Sequence, residues 1–480
     1  MELVVLLMGL AAAVWFVAVI RYHDILTGTA IFLVATSVFP PLYVSVKLGG
    51  ISATVDRVWL IALLAQFAYD LWNRRSRLRN LTASDVWLFL FLAWLTCSAL
   101  MTPIGREIPG QPPTLAHLIN GYLIPAFLFC LIRHTNLQNR NVWPAITVVL
   151  LFGIYLSVTA IFEITKQWSF VFPSFIGDPK LGIHFGRARG PMLQSIQLGM
   201  CLNLCLIALW VFPVWLYSHQ RWAWMLAFTL TPLFLAAIFT TYTRSIWMGA
   251  AAIIVILLAT MLQGKIRTAV LGSILVFGIV GGLLIGPSLV AFKREYSEAE
   301  TLESTRMRGA FAYVSWKMFQ DSPITGFGFN QFQVNSKLYL DDRTTNIRLE
   351  SIRGYVHHNS YLSLLVDLGL IGATLYMIAA VSLIRNSWIV WMHPMSSPMA
   401  RSSSVFTFCV VVVHAIQMAF HEVTFSSIEN TILMMALGMS QVYRDELIAM
   451  TERTDTSKHS ESNRSEAGLR PTQTVEAFGA

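Results

Sequence analysis

Charge is what this chain has least of. Asp, Glu, Lys and Arg together make up 12% of its 480 residues, hydrophobic residues make up 55%, and mean hydropathy is +0.59. A soluble domain carries roughly twice that charged fraction, so the composition excludes an ordinary water-solvated globule and implies a polytopic membrane protein. Cysteine is scarce as well. Cys97, Cys130, Cys201, Cys205 and Cys409 all fall inside apolar segments, which argues against a disulfide framework or a cysteine zinc site. Neither G-x-x-x-x-G-K-[ST] nor H-E-x-x-H occurs, so P-loop nucleotide hydrolysis and zincin chemistry are not indicated. Gly326-x-Gly328 is too short for a dinucleotide fingerprint. No cleavable signal peptide is expected either, because residues 2–20 are long enough to span and no small-residue cleavage site follows them.

Long apolar runs fill the space that charge leaves. They lie near 2–20, 28–46, 57–72, 86–101, 118–133, 143–163, 191–217, 223–242, 245–263, 268–291, 360–382, 404–420 and 428–443, each close to the length a span requires. An all-α fold of about 12–13 transmembrane helices is predicted, with 15 tryptophans suited to interfacial anchoring. The net charge of +8 is not a nucleic-acid signal. Its basic residues concentrate in short connections: 73–79, Arg133 to Arg140, Arg221, Lys265 with Arg267, and Arg385 to Arg401. These alternate along the chain and mark the cytoplasmic side, which puts the N-terminus outside and the C-terminus inside. The predicted organisation is N-terminal transmembrane helices over 1–163, central helices over 164–291, a periplasmic loop over 292–358, C-terminal helices over 359–443, and a disordered cytoplasmic tail over 444–480. In the loop, Phe311, Val314 and Met318 recur at helical spacing within 306–320. That pattern predicts an amphipathic helix lying on the membrane surface, broken by Pro323, Gly326 and Gly328.

Against the positive-inside trend, arginines fall on the predicted outer face, among them Arg187 and Arg189 in GRARGPM, Arg244 in TYTRSIW, and Arg306 and Arg308 at the start of the amphipathic segment. Guanidinium matches phosphate bidentately, so a converging set would suit a diphosphate headgroup. Any one of them alone reads as an interfacial anchor. His358 and Asn359 stand at the mouth of an apolar helix that carries Gly369 and Gly372. An imidazole there can take a proton from an acceptor hydroxyl near neutral pH. His357 reads as a neighbour without a separate role, and His184, Glu163, His421 and Glu422 as secondary candidates. Asp341 and Asp342 read as a solvated turn rather than metal ligands, and no metal site is assigned.

These motifs resemble those of the O-antigen ligase and polymerase superfamily of bacterial envelope glycan assembly. His358, Asn359, Gly369 and Gly372 fit H-[NSQ]-x9-G-x-x-[GTY]. Arg187 to Gly190 is similar to R-x-x-G, and Thr243-Arg244 to the S/T-R element. Arg308 followed by Asp321, Pro323, Gly326 and Gly328 is similar to R…D-x-P-x-x-G-x-G. The chain departs from the pattern at Gln194-Ser195-Ile196, where relatives read N-P-N or H-P-N. Either member of the pairs Arg187/Arg189 and Arg306/Arg308 can be the equivalent position. The resemblance implies a metal-independent, inverting glycosyltransferase of the bacterial inner membrane that needs no cofactor. Its partners would be an undecaprenyl-diphosphate-linked glycan, an acceptor glycan or lipid, and the bilayer. Arg187, Arg244 and Arg308 would hold the diphosphate, with His358 at the acceptor, and Arg189, Arg306 and Asn359 would join Arg308 in binding substrate. The acceptor branch (lipid A core, another lipid-linked repeat, or a protein hydroxyl) stays open. A transporter or flippase for a lipid-linked anionic sugar is the competing class. Transporters place their site near the midplane within repeated architecture, whereas here the polar residues gather at one surface and no repeat is evident.

Overall fold

A chain this apolar satisfies its backbone in a bilayer only through helices or a closed barrel, and helices form. The computed structural model describes residues 24–40, 45–48, 51–102, 113–137, 139–217, 219–291, 298–423 and 425–468; side chains at 45–48, 51–53, 139–141, 281–282, 284–291, 298–306 and 455–468 are outside that description. In chain order come α1 (Ile25–Val38), the hairpin of β1 (Ser45–Leu48) and β2 (Ile51–Thr54), α2 (Val55–Trp72), α3 (Ala83–Leu100), α4 (Thr114–Arg133), α5 (Asn139–Ile164), α6 (Ser195–Trp215) and α7 (Arg221–Thr240). Then follow α8 (Arg244–Met261), α9 (Gly264–Ala291), α10 (Glu298–Asp321), α11 (Ser360–Met392), α12 (Pro398–Phe420) and α13 (Ser427–Gly468). Among the described residues, eight helices are long and apolar enough to cross a membrane, namely α3 to α8 with α11 and α12. The span expected at 2–20 lies outside the described residues. The small antiparallel hairpin, with Ser45 opposite Thr54, is an addition to the all-α expectation.

The centre of the bundle is α6, buried at every position from Ser195 to Leu209 except Gln197. Small residues let its neighbours approach closely. Gly199 faces Ile246 of α8 with no room for a methyl group, and Gly249 faces Asn203 in the same way. Asn203 also donates to the Ile246 carbonyl at 3.3 Å. Around this core α12 packs on α8, α11 on α3 and α12, and α13 on α4.

Because consecutive helices alternate direction, the basic connections predicted to share a side do so. The 73–79 turn and the end of α4 line one cavity with Arg444 and Asp445 of α13. There Arg133 donates to Asp85 at 2.8 and 2.6 Å, to Asp445 at 2.5 Å and to the Asn80 carbonyl at 2.9 Å. That fully paired network ties α3, α4 and α13 together. The starts of α7 and α12 and the ends of α8 and α11 lie on this same side. His358, Arg244 and Arg308 lie on the other.

Two expectations are corrected. The amphipathic segment is longer, beginning at Glu298, and its apolar stripe does not face a bilayer. Phe311, Val314 and Met318 are buried against Phe332, Leu340, Leu349, Ile352 and Val366, so the loop builds a small core of its own against α11. The final helix also continues past Met450 to Gly468, where an irregular tail was expected; residues 469–480 lie outside the described residues.

Candidate active site

Two backbones meet where the glycine motifs face each other. Inside α11, Gly369 adopts φ 64° and ψ −168°, a region essentially reserved for glycine. The break frees backbone groups of α11 to pair with the loop. Phe327 N donates to Val366 O at 2.8 Å, Gly328 N to Asp367 O at 2.9 Å, Leu370 N to Pro323 O at 2.8 Å, and Ile371 N to Ile324 O at 3.2 Å. A methyl group on Gly369 would collide with the Ile324 carbonyl, and one on Gly326 with the backbone of Asp367. These glycines are therefore structural. They dock the 323–328 turn into the break in α11, and so fix where α10 and His358 stand relative to each other.

His358 and its neighbour then diverge. His357 is buried, its ring 3.7 Å from that of Phe332 and its Nδ1 3.5 Å from Ser315 Oγ. Burial, with the adjacent His358, pushes its pKa down to about 3. It is a neutral core residue. His358 is exposed, resting 4.9 Å from Phe311 between ring centroids. Its Nδ1 lies 3.1 Å from the His357 carbonyl. A carbonyl can only accept, so Nδ1 carries the proton and Nε2 keeps its lone pair. Partial burial first and the charge of Arg308 second hold the imidazole pKa below its ordinary value, against the raising effect of the His357 carbonyl. Neutral imidazole with Nε2 free is the form a general base needs.

Three further elements close on this point. Asn359 caps α11, its side chain accepting from Leu362 N and donating to the Ala419 carbonyl of α12, both at 3.0 Å. Ser360 Oγ donates to the His421 carbonyl at 2.9 Å and lies 3.2 Å from Glu422 Oε1, while Val423 N donates back to Ser360 Oγ at 3.0 Å. His421 Nε2 meets Ser245 Oγ, next to Arg244 at the start of α8, at 2.9 Å. Arg308 of α10 sits with its guanidinium 5.4 Å from the Phe420 ring. Partial burial and the like charge of Arg244 both press against its cationic form. Arg308 thus feels Arg244 on one side and is felt by His358 on the other. Two guanidinium groups and one imidazole share a seam stitched by Ser245, His421 and Ser360. Nothing in their spacing along the chain singles out the two serines; only the fold does. His421 and Glu422, secondary on sequence, belong to the seam.

The other candidates separate. Arg189 was grouped with substrate, but it is fully buried. Its guanidinium donates to the carbonyls of Leu181, Ile176 and Asp178 at 2.5 to 2.8 Å, lies 3.5 Å from Glu163, and stacks 4.7 Å above the Phe185 ring. Glu163 in turn accepts Arg189 N and Gly190 N at 2.9 and 3.0 Å. That pair folds the 164–190 loop and seals Arg189 inside it. Arg187 is half-buried and lines a cavity with Tyr242, which stands two residues before Arg244. Ala188 N donates to Thr240 O at 3.1 Å, which locks this strand to the end of α7. His184 takes φ 61° in the same loop, and its carbonyl accepts Arg187 N at 3.1 Å. Although Gln194-Ser195-Ile196 lacks the proline of N-P-N, the backbone breaks here: Gly190 and Leu193 take positive φ and α6 starts only at Ser195. The Arg306 side chain lies outside the described residues. Asp342 closes a turn by accepting Thr344 N at 2.8 Å.

Residues 229–377 match the family model described as O-antigen ligase. The matched stretch contains Arg244, Arg308, His358, Asn359 and the interlocked glycines, so the match and the geometry converge on the same segment. No curated protein matches the chain. Over residues 229–377 the chain is similar to the O-antigen ligase family.

Proposed function

We propose that this protein is an inverting, metal-independent glycosyltransferase acting at the periplasmic face of the bacterial inner membrane, with a glycan on undecaprenyl diphosphate as donor. The observation that carries the reading is the convergence of Arg244, Arg308 and a neutral His358 on one seam at the face opposite the basic connections. His358 Nε2 accepts the proton of an acceptor hydroxyl while that oxygen bonds to the anomeric carbon. The carbon–oxygen bond to the diphosphate breaks on the opposite side, and undecaprenyl diphosphate leaves. Arg244 and Arg308 hold the phosphate oxygens and stabilise the charge gathered there, the role that oriented donors play in a water-poor site. The starts of α8 and α11 face the same seam and add the positive ends of two helices.

Polymer extension or ligation to a lipid acceptor fits this machinery equally. Deleting the gene and examining the cell's glycan separates them. Unextended single repeats mark a polymerase, and accumulated long lipid-linked chains mark a ligase. Complementation with wild type should restore the glycan, and His358→Ala should not, although it reaches the membrane at normal levels. Full complementation by His358→Ala would overturn the site.

A further inference from the structure

Beside the seam lies the cavity of Arg187 and Tyr242, about 300 Å³, between the end of α5, the 164–190 loop and the joint before α8. Its wall combines three aromatic rings with two cations: Trp168, Phe185 and Tyr242 with Lys166 and Arg187. Trp168 and Phe185 stack 6.0 Å apart at 15°, and the buried Arg189 supports Phe185 from behind at 4.7 Å. Lys166 and Tyr242 both hold left-handed backbone, φ 58° and 46°, a conformation a bulky residue keeps only where its surroundings enforce it. Glu163 also borders the cavity, but its carboxylate is engaged by Arg189 and by two backbone N–H groups. The charged residues of the wall are Lys166 and Arg187 against the one carboxylate of Glu163.

A pocket of this size with aromatic walls and a few convergent polar groups is that of a small-molecule subsite. Sugar rings present C–H faces to aromatic surfaces, and a guanidinium beside an ammonium selects a carboxylate. Tyr242 stands two residues from Arg244, so a glycan whose diphosphate rests at Arg244 would continue into this cavity. From these features we infer that the cavity is a sugar subsite for an acidic residue of the transferred glycan, with the carboxylate of a uronic-acid-type ring held between Lys166 and Arg187. This rests on the transferase reading above and narrows its substrate to an acidic glycan.

The test uses the purified full-length protein in detergent and two probes, a short oligogalacturonate and its carboxyl-reduced neutral counterpart, with binding followed by saturation-transfer NMR. The acidic probe should bind at least about tenfold more tightly, consistent with the loss of one to two charge-assisted hydrogen bonds in the neutral one. Lys166 is exposed, so Lys166→Gln should keep the fold while reducing that preference, and Arg187→Gln should do the same. Trp168→Ala should weaken both probes. His358→Ala should bind the acidic probe as wild type does. Equal binding of the two probes, or a preference untouched by Lys166→Gln and Arg187→Gln, would overturn the subsite while leaving the transferase reading standing. No glycan transfer by the wild-type protein from a lipid-diphosphate-linked donor would overturn the transferase reading without altering the binding data.

Discussion

His357 and His358 are adjacent in sequence and opposite in circumstance. One is sealed against Phe332, the other exposed with Nε2 free. The distinction has a measurable consequence. Partial burial, and with it the charge of Arg308, disfavours the imidazolium form of His358, so neutral base persists below the ordinary histidine pKa. As pH falls, activity should persist past the point where an ordinary histidine protonates and be lost only as the depressed pKa is crossed. Arg308→Gln removes the like charge, so the acid limb of kcat/KM should move to higher pH; a limb that stays in place or moves lower would separate Arg308 from His358. Arg244→Lys keeps the charge but loses the fork, and should reduce kcat/KM by about 10- to 100-fold, the equivalent of one or two charge-assisted hydrogen bonds. Wild-type kinetics in that variant would make Arg244 a bare cation. At this scale the sequence was half legible. It set His358 apart from His357 and named Arg244, and it left Arg306 and Arg308 open. It could not distinguish Arg187 from Arg189, because both stand in one loop and only the fold decides which guanidinium meets the carbonyls of Ile176, Asp178 and Leu181.

Elements explain the motif spacing. Nine residues separate Asn359 from Gly369 because the first marks the cap of α11 and the second the break into which the 323–328 turn docks. Glycine is required there on two counts, the backbone region and the contact with Ile324. Gly369→Ala should destabilise the purified protein by roughly 2–5 kcal/mol, combining backbone strain with overpacking, seen as a lower midpoint in a detergent thermal melt. An unchanged midpoint would mean that the interlock is dispensable. Glycines spaced along an apolar helix ordinarily indicate helix packing, and Gly372, close to Trp94, fits that role. Gly369 instead pairs with a segment more than 40 residues earlier, a contact that local periodicity does not encode. The stripe of Phe311, Val314 and Met318 was read correctly as a helical face. Its partner was not, because the residues that cover it are scattered from Phe332 to Val366.

For the whole molecule, hydropathy and the positive-inside pattern were the most informative signals. They placed the basic connections on one side and the seam on the other, and the helix order agrees. Span count was less legible, since α1 is short at 14 residues and α2 carries Asp56, Arg57 and Asp70. The central claim is that one seam transfers glycan from a lipid diphosphate with a histidine base and arginine in place of a metal. Its most direct test is transfer in vitro by the purified protein from a lipid-diphosphate-linked oligosaccharide, in EDTA, with polyprenyl diphosphate release measured alongside. The account predicts release in step with glycan transfer, undiminished by EDTA, and a fall of about 10²- to 10⁴-fold in His358→Ala at unchanged thermal midpoint. Transfer that requires added divalent cation, or that proceeds at full rate without His358, would contradict it.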